Sequence, residues 1–317
     1  MKAVVLNEFG SPDQLTLTET TDPRPGPGEC LIATEACDVL FLDTMLRSGA
    51  APEGMEPELP WIPGTGVAGR VLAVGPDVEP TWRGARVVAQ TGAAYAELVR
   101  APLAGLVRIP DDIRADVAAA VLHDGQTAIA LFDRLPVGVD DAVLVLGASG
   151  GLGLLCVQLA RSRARRVVAV ARDARKLERI RALGPDAVVD SESGDWVAAA
   201  RDALGGTADV VLDNIGSGFG AAAASLLGDN GRFSAHGTPS GAFAQIETDL
   251  PGARVTGIDL VQLDPAARQR YTSAALGAVI RGELAPIIGQ KFPLEQAAAA
   301  HAAIEARTVF GKTLLMP

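Results

Sequence analysis

Residues 143–159 read Val143-Leu144-Val145-Leu146-Gly147-Ala148-Ser149-Gly150-Gly151-Leu152-Gly153-Leu154-Leu155-Cys156-Val157-Gln158-Leu159. An aliphatic run meets a glycine cluster, and a helical pattern follows at once: Leu152, Leu155, Cys156 and Leu159 fall at i, i+3, i+4 and i+7. The reading is strand, tight turn and helix start. Glycines let the backbone approach a ligand without a Cβ in the way. Unpaired N–H groups and the dipole at a helix start favour an anion there. The spacing departs from strict G-x-G-x-x-G, so its placement between strand and helix carries the reading of Gly147, Ser149, Gly150, Gly151, Leu152 and Gly153 as a pyrophosphate cradle. Residues 142–160 carry no charge, but four glycines, Ser149 and Gln158 break the stretch, and no basic flank anchors it in a membrane.

With 317 residues, two domains are the default expectation. Hydrophobic content of 48% against 21% charged residues suits large buried sheets. The net charge of −10 disfavours nucleic acid and anionic membranes as partners. Cys30, Cys37 and Cys156 form no C-x-x-C pair and sit in apolar runs, so they read as reduced core residues of a cytoplasmic protein. The start of the chain has too short an apolar stretch for a signal peptide and reads as a first strand.

The first third is rich in Pro and Gly and in short β-type runs at 2–6, 15–19, 29–36, 66–74, 85–90 and 94–99, a pattern of a compact β domain. From about residue 115, Ala-rich helices alternate with buried strands expected at 166–171, 187–190, 209–214, 231–236 and 254–260. That alternation predicts a parallel doubly wound sheet. The tail holds an Ala-rich helix and a last strand at 312–316.

In dinucleotide folds an acidic residue ends the second strand and binds the adenosine ribose. Ala171 stands there, followed by Arg172. A carboxylate would repel a 2′-phosphate; Arg172 can pair with it, helped by Arg175 or Lys176. NADP(H) is favoured over NAD(H).

The chain resembles the medium-chain dehydrogenase/reductase superfamily, and within it the zinc-independent quinone oxidoreductase group. The motifs run in order over nearly the whole length: Glu35-Ala36-Cys37-Asp38-Val39, Arg47-Ser48-Gly49, Pro60-Trp61-Ile62-Pro63-Gly64, Val67-Ala68-Gly69, Gly84-Ala85-Arg86-Val87, Tyr95-Ala96-Glu97 and Thr127-Ala128. After the glycine turn come Asp209-Val210-Val211-Leu212-Asp213, Gly231-Arg232 leading to Gly237, Phe292-Pro293-Leu294, Ala300-His301 and Gly311-Lys312. The resemblance implies an α/β protein: a GroES-like β-rich catalytic domain, 1–117 and 263–317, plus a Rossmann nucleotide domain, 118–262. It further implies a homodimer built through the outer strand at 254–260, and cofactor contacts from Thr127, Asn214, Gly237, Ser240 and Lys312.

Departures from the pattern carry the chemistry. Zinc-dependent relatives place ligands where this chain has Leu40, Thr65 and Gly66, and the four-Cys zinc lobe is absent; no metal is expected. Without a Lewis acid, alcohol oxidation is disfavoured. Hydride transfer to a quinone or an α,β-unsaturated carbonyl needs none. Leu40 and Met45 replace the Asn and Tyr of many members and make more apolar the substrate pocket expected around Leu40, Asp43, Met45 and Tyr95; the other reading of Asp43 is a capping or solvated carboxylate, and that of Tyr95 a core residue. Alternatives are an enoyl-thioester reductase, a tailoring reductase of a polyketide-like enone, or an NADPH-binding structural or redox-sensing protein without turnover. His123 is the candidate proton donor. Adjacent helical residues do not face each other, which argues against a dyad with Asp124. His236, at a strand end, could edge the cofactor; His301 reads as a packed or surface residue.

Overall fold

The computed structural model describes residues 1–317. The first half of the chain forms β1 (Lys2–Leu6), β2 (Leu15–Glu19), β3 (Glu29–Val39), α1 (Phe41–Ser48), β4 (Gly66–Val74), β5 (Arg86–Gln90), β6 (Leu98–Pro102), β7 (Leu106–Arg108), α2 (Ala115–Leu122) and α3 (Asp124–Arg134). Next come β8 (Ala142–Leu146), α4 (Gly151–Arg161), β9 (Arg166–Ala171), α5 (Ala174–Arg181), β10 (Ala187–Asp190), α6 (Trp196–Leu204), β11 (Ala208–Asp213), α7 (Ser217–Ala224), β12 (Leu227–Ala235) and β13 (Arg254–Thr256). The tail adds α8 (Pro265–Ile280), β14 (Ile288–Pro293), α9 (Ala297–Glu305) and β15 (Lys312–Met316). Two compact units result: Met1–Gln126 with Pro265–Arg281 and Pro286–Pro317, and Thr127–Asp264 with Gly282–Ala285.

The first unit is built on a sheet in the order β14-β15-β3-β4-β5-β7, with β6 also on β3. Apart from the parallel β14–β15 pair, its ladders are antiparallel. Cys30, Ile32, Val67, Val71, Val87 and Ala89 pack into one core with Tyr95 and Val99. Ala36, Ala68, Val88 and Leu314 form another with Ala118, Ala119, Val121 and Leu122 of α2. Each fully buried Val or Leu contributes about 1.5–3 kcal/mol, so α2 belongs to this unit. The first boundary therefore falls after Gln126 rather than after residue 117. Two strand expectations shift. Residues 94–96 only bridge to β1 through Ala3 and Ala96, and the ladder with β3 begins at Leu98. The strand at 254–260 stops at Thr256, where a 3-10 turn, Ile258–Leu260, takes over.

The second unit is a parallel sheet ordered β10-β9-β8-β11-β12-β13. In chain order that is 3-2-1-4-5-6, the Rossmann arrangement, and its switch point lies between β8 and β11. Every residue of β8 is fully buried, as a strand covered on both faces requires. The uncharged stretch 142–160 is thus a strand, a turn and α4, and no helix is long and apolar enough to cross a membrane. The cysteines are unpaired and buried.

Candidate active site

Sequence and fold place the glycine turn at the switch point. The turn leaves β8 at Gly147 and enters α4 with Gly150 as N-cap, and no side chain caps the helix. Gly153 is required by packing: a Cβ there would stand 2.3 Å from the Gly147 carbonyl oxygen. Ser149, Gly150, Gly151 and Leu152 are at least partly exposed. An uncapped helix start with its N–H groups open is an anion site. At the end of β9, Ala171 is buried while Arg172 and Arg175 are exposed. Asp173 caps α5, accepting from the N–H groups of Arg175 and Lys176 at 2.9 and 3.3 Å. Lys176 itself is turned inward and only 8% exposed, so the exposed positive charge beside Ala171 comes from the two arginines. Thr127 is half-buried on α3.

Asn214, expected at the cofactor, spends its amide on the protein. Its Nδ2 donates to the Leu146 carbonyl at 2.7 Å, and its Oδ1 lies 2.9 Å from His236 Nε2. Since Oδ1 can only accept, Nε2 carries the hydrogen and Nδ1 accepts from the Ser234 hydroxyl at 3.0 Å. Burial pushes the His236 imidazole down to about 4, which keeps it neutral. His236 and Asn214 therefore anchor the carbonyl directly before the glycine turn. Ser240 is exposed, and its hydroxyl donates to the Ile215 carbonyl at 2.8 Å. Gly237 is buried where its backbone runs against Asn214.

In the first unit a charged cluster surrounds His123, which sits at the junction of α2 and α3. Asp38 lies on β3 and Lys312 on β15; Asp38 pairs with Leu314 across the antiparallel ladder. Lys312 is two residues from that partner, so both side chains share one face. Lys312 Nζ is 2.5 Å from Asp38 Oδ1 and 3.2 Å from Asp124 Oδ2. The other oxygen of Asp38 is 2.7 Å from His123 Nδ1. Burial alone would raise Asp38, but the Lys312 ammonium and His123 outweigh it and hold the carboxyl below its ordinary value. Burial likewise opposes charge on Lys312, yet Asp124 and Asp38 keep the ammonium above its usual range. Asp124, with less help, is raised by burial. Lys312, expected at the cofactor, is 4% exposed and held by two carboxylates. Asp38 stands outside the residues the sequence singles out. Its signal was a charge in the apolar run Ala36-Cys37-Asp38-Val39.

The expected pocket residues divide. Leu40 and Met45 are half-buried. Asp43 and Tyr95 have no exposed surface, which matches the alternative roles of a capping carboxylate and a core tyrosine. Asp43 Oδ2 accepts from the Leu40 N–H at 2.8 Å and from the Tyr95 hydroxyl at 3.0 Å. The same hydroxyl oxygen is 3.1 Å from His301 Nε2. Burial pushes Asp43 up to about 6, although these hydrogen bonds oppose it. Burial, with Arg47 nearby, pushes His301 down to about 3. These side chains fill the interior behind α1.

Residues 26–111 match the alcohol dehydrogenase GroES-like domain, and residues 183–315 match the family described as zinc-binding dehydrogenase. A probable quinone oxidoreductase of Schizosaccharomyces pombe is 31% identical, the match covering 99% of this chain and 96% of that protein. A 2-haloacrylate reductase of a Burkholderia species is 29% identical over 99% and 98% of the two chains. Among solved structures, a mycobacterial protein complexed with NADPH superposes with a TM-score of 0.91 at 32% identity, both chains fully covered. The quinone oxidoreductase of Escherichia coli, also complexed with NADPH, gives 0.91 at 26% identity over the full length of both. The chain belongs to the medium-chain dehydrogenase/reductase superfamily, in its quinone oxidoreductase-like group.

Proposed function

We propose that this oxidoreductase uses NADPH to reduce quinones or α,β-unsaturated carbonyl compounds without zinc. The observation that carries the reading is the uncapped start of α4 beside exposed Arg172, with Ala171 in place of a carboxylate. The first-turn N–H groups of Gly151, Leu152 and Gly153 would hold the pyrophosphate, and Arg172 with Arg175 the 2′-phosphate. Bound NADPH supplies a hydride. The chain's part is to orient the acceptor and to supply a proton, for which His123 is the candidate.

Relatives named for quinone oxidation–reduction and for 2-haloacrylate reduction support an electrophilic π-system as substrate. The half-buried Leu40 and Met45 support an apolar one. The residues present do not fit a zinc ion: Leu40, Thr65 and Gly66 supply no tetrahedral donor set, and the nearby carboxylates already hold the Lys312 ammonium. The short edge strand β13, with Val255 exposed, supports assembly as a homodimer.

NADPH oxidation against a panel of quinones, free enones and acyl-thioester enones tests the activity. Turnover on the first two classes is expected. Reduction of thioesters alone would move the substrate to the enoyl-thioester class, and nucleotide binding without turnover on any acceptor would remove the enzyme reading. For the cofactor, Arg172→Ala should weaken NADPH roughly 10- to 100-fold, the worth of a charge-assisted hydrogen bond, and leave NADH nearly unchanged. Equal weakening of both nucleotides would refute the 2′-phosphate assignment.

A further inference from the structure

We propose that Asp38 is a positioning residue that holds His123 in its Nδ1–H form, so that Nε2 delivers a proton to the reduced acceptor. The inference rests on the reductase reading and adds a proton route to it. Asp38 is fully buried and its Oδ2 lies 2.7 Å from Nδ1. An ionised carboxylate only accepts, so Nδ1 must carry the hydrogen. Lys312, 2.5 Å from the second oxygen, keeps that carboxylate charged. On its other side the ring lies against bare backbone: a Cβ on Gly66 would stand 2.6 Å from His123 Cε1. Nε2 has only the Thr65 hydroxyl, 3.5 Å away, at the far limit of a hydrogen bond. The His123 side chain is 19% exposed, so an acceptor can reach that nitrogen.

The acceptor would be reduced by a hydride that bound NADPH would supply, with NADP⁺ as the oxidised product. The electron pair of the broken π bond then rests on the acceptor's carbonyl oxygen. The Nε2–H bond of the His123 imidazolium breaks and an O–H bond forms, the electrons of the broken bond becoming the Nε2 lone pair. Nδ1–H stays on Asp38 throughout, and solvent returns a proton to Nε2. Asp38 from β3, Asp124 from α3 and Asp43 from α1 are the acidic groups nearest this imidazole, and Lys312 from β15 is the cation among them. Asp38 is the one in contact.

The test is Asp38→Asn. Asparagine keeps an oxygen for Nδ1–H, and Lys312 retains Asp124, so no buried ammonium is orphaned. The chain has 3 histidines, and His236 and His301 are buried, so imidazole NMR reads His123 with little overlap. In the wild-type protein the neutral ring should show Nδ1–H nitrogen shifts. In Asp38→Asn the amide can meet Nδ1 with its oxygen or its NH2, so the neutral ring should show a mixture of Nδ1–H and Nε2–H nitrogen shifts. The kcat should fall with it, by roughly tenfold, while NADPH affinity stays within about twofold. An Nε2–H ring in the wild type, or an unmoved tautomer and kcat in the variant, would overturn the proposal. The wild-type tautomer needs no variant, so a poorly folding Asp38→Asn leaves that arm intact. A wild-type protein that oxidises no NADPH with any acceptor would instead sink the reductase reading, whatever the tautomer.

Discussion

The first unit buries two histidine–carboxylate clusters, and they behave in opposite ways. Around His123, Asp38 shares its cavity with the Lys312 ammonium and is held as an anion. Around His301, Asp43 has no cation in contact, and its proton is retained up to about pH 6. His123 donates from Nδ1 to a carboxylate and leaves Nε2 open. His301 is neutral; since the Tyr95 hydroxyl donates to Asp43, it must receive a hydrogen from His301 Nε2. The lesson is that a buried carboxylate stays charged through the acid range when an ammonium touches it, as Lys312 touches Asp38, and holds its proton to higher pH when none does, as at Asp43.

Removing each imidazole should separate the two roles most sharply. His123→Asn is expected to lower kcat by roughly 10²- to 10³-fold, the scale of a lost general acid, with NADPH binding intact. His301→Asn should leave kcat within about threefold but cost about 1–3 kcal/mol of stability, because buried polar partners lose their bond. Steady-state kinetics and urea melts on both variants check this; equal kcat losses would erase the contrast.

The carboxylates should differ in the sign of their pH dependence. Asp43 binds its proton more tightly folded than unfolded, so its contribution falls as pH rises from about 4 to about 6, by the order of 2–3 kcal/mol. Asp43→Asn keeps an acceptor for Leu40 and Tyr95 and should abolish that slope. Asp38 is lowered on folding, so its contribution is present above the ordinary carboxylate value and is lost as pH falls through its folded value. Urea melts from about pH 2 to about pH 7, wild type minus each variant, read the two signs; slopes of the same sign would remove the contrast.

A smaller effect is expected from Gly66→Ala. The new methyl would crowd His123 Cε1 and Leu122 Cδ2, 2.6 and 2.8 Å from an ideal Cβ. The ring must tilt off Asp38, and kcat should drop about tenfold, as for modest misplacement of a reacting group. A variant as active as wild type would show that the seat of the ring is not what aims Nε2.

How much of this was legible in sequence follows from what is local. The glycine turn, the doubly wound sheet and the exposed Arg172 are written in consecutive residues with helix or strand periodicity. The domain boundary at Gln126 depends on which sheet α2 packs against, and periodicity shows only that a face is apolar. Asp38, His123 and Lys312 meet because β15 pairs with β3 and α2 returns across that sheet. The ladder register alone brings Asp38 and Lys312 onto one face, so sequence identified His123 as a candidate and argued against the adjacent Asp124 as its partner, but could not supply Asp38. Asp43 and Tyr95 matched a pocket by motif, yet their contact with each other and with His301 buries them.

The most direct test of the central claim is label transfer. The protein is mixed with an α,β-unsaturated ketone and NADPH deuterated at the transferable C4 position. Deuterium is expected at the carbon β to the carbonyl, in amounts equal to the NADPH consumed. NADPH that binds but is not consumed, with label-free ketone and no hydroquinone formed from quinones, would contradict it.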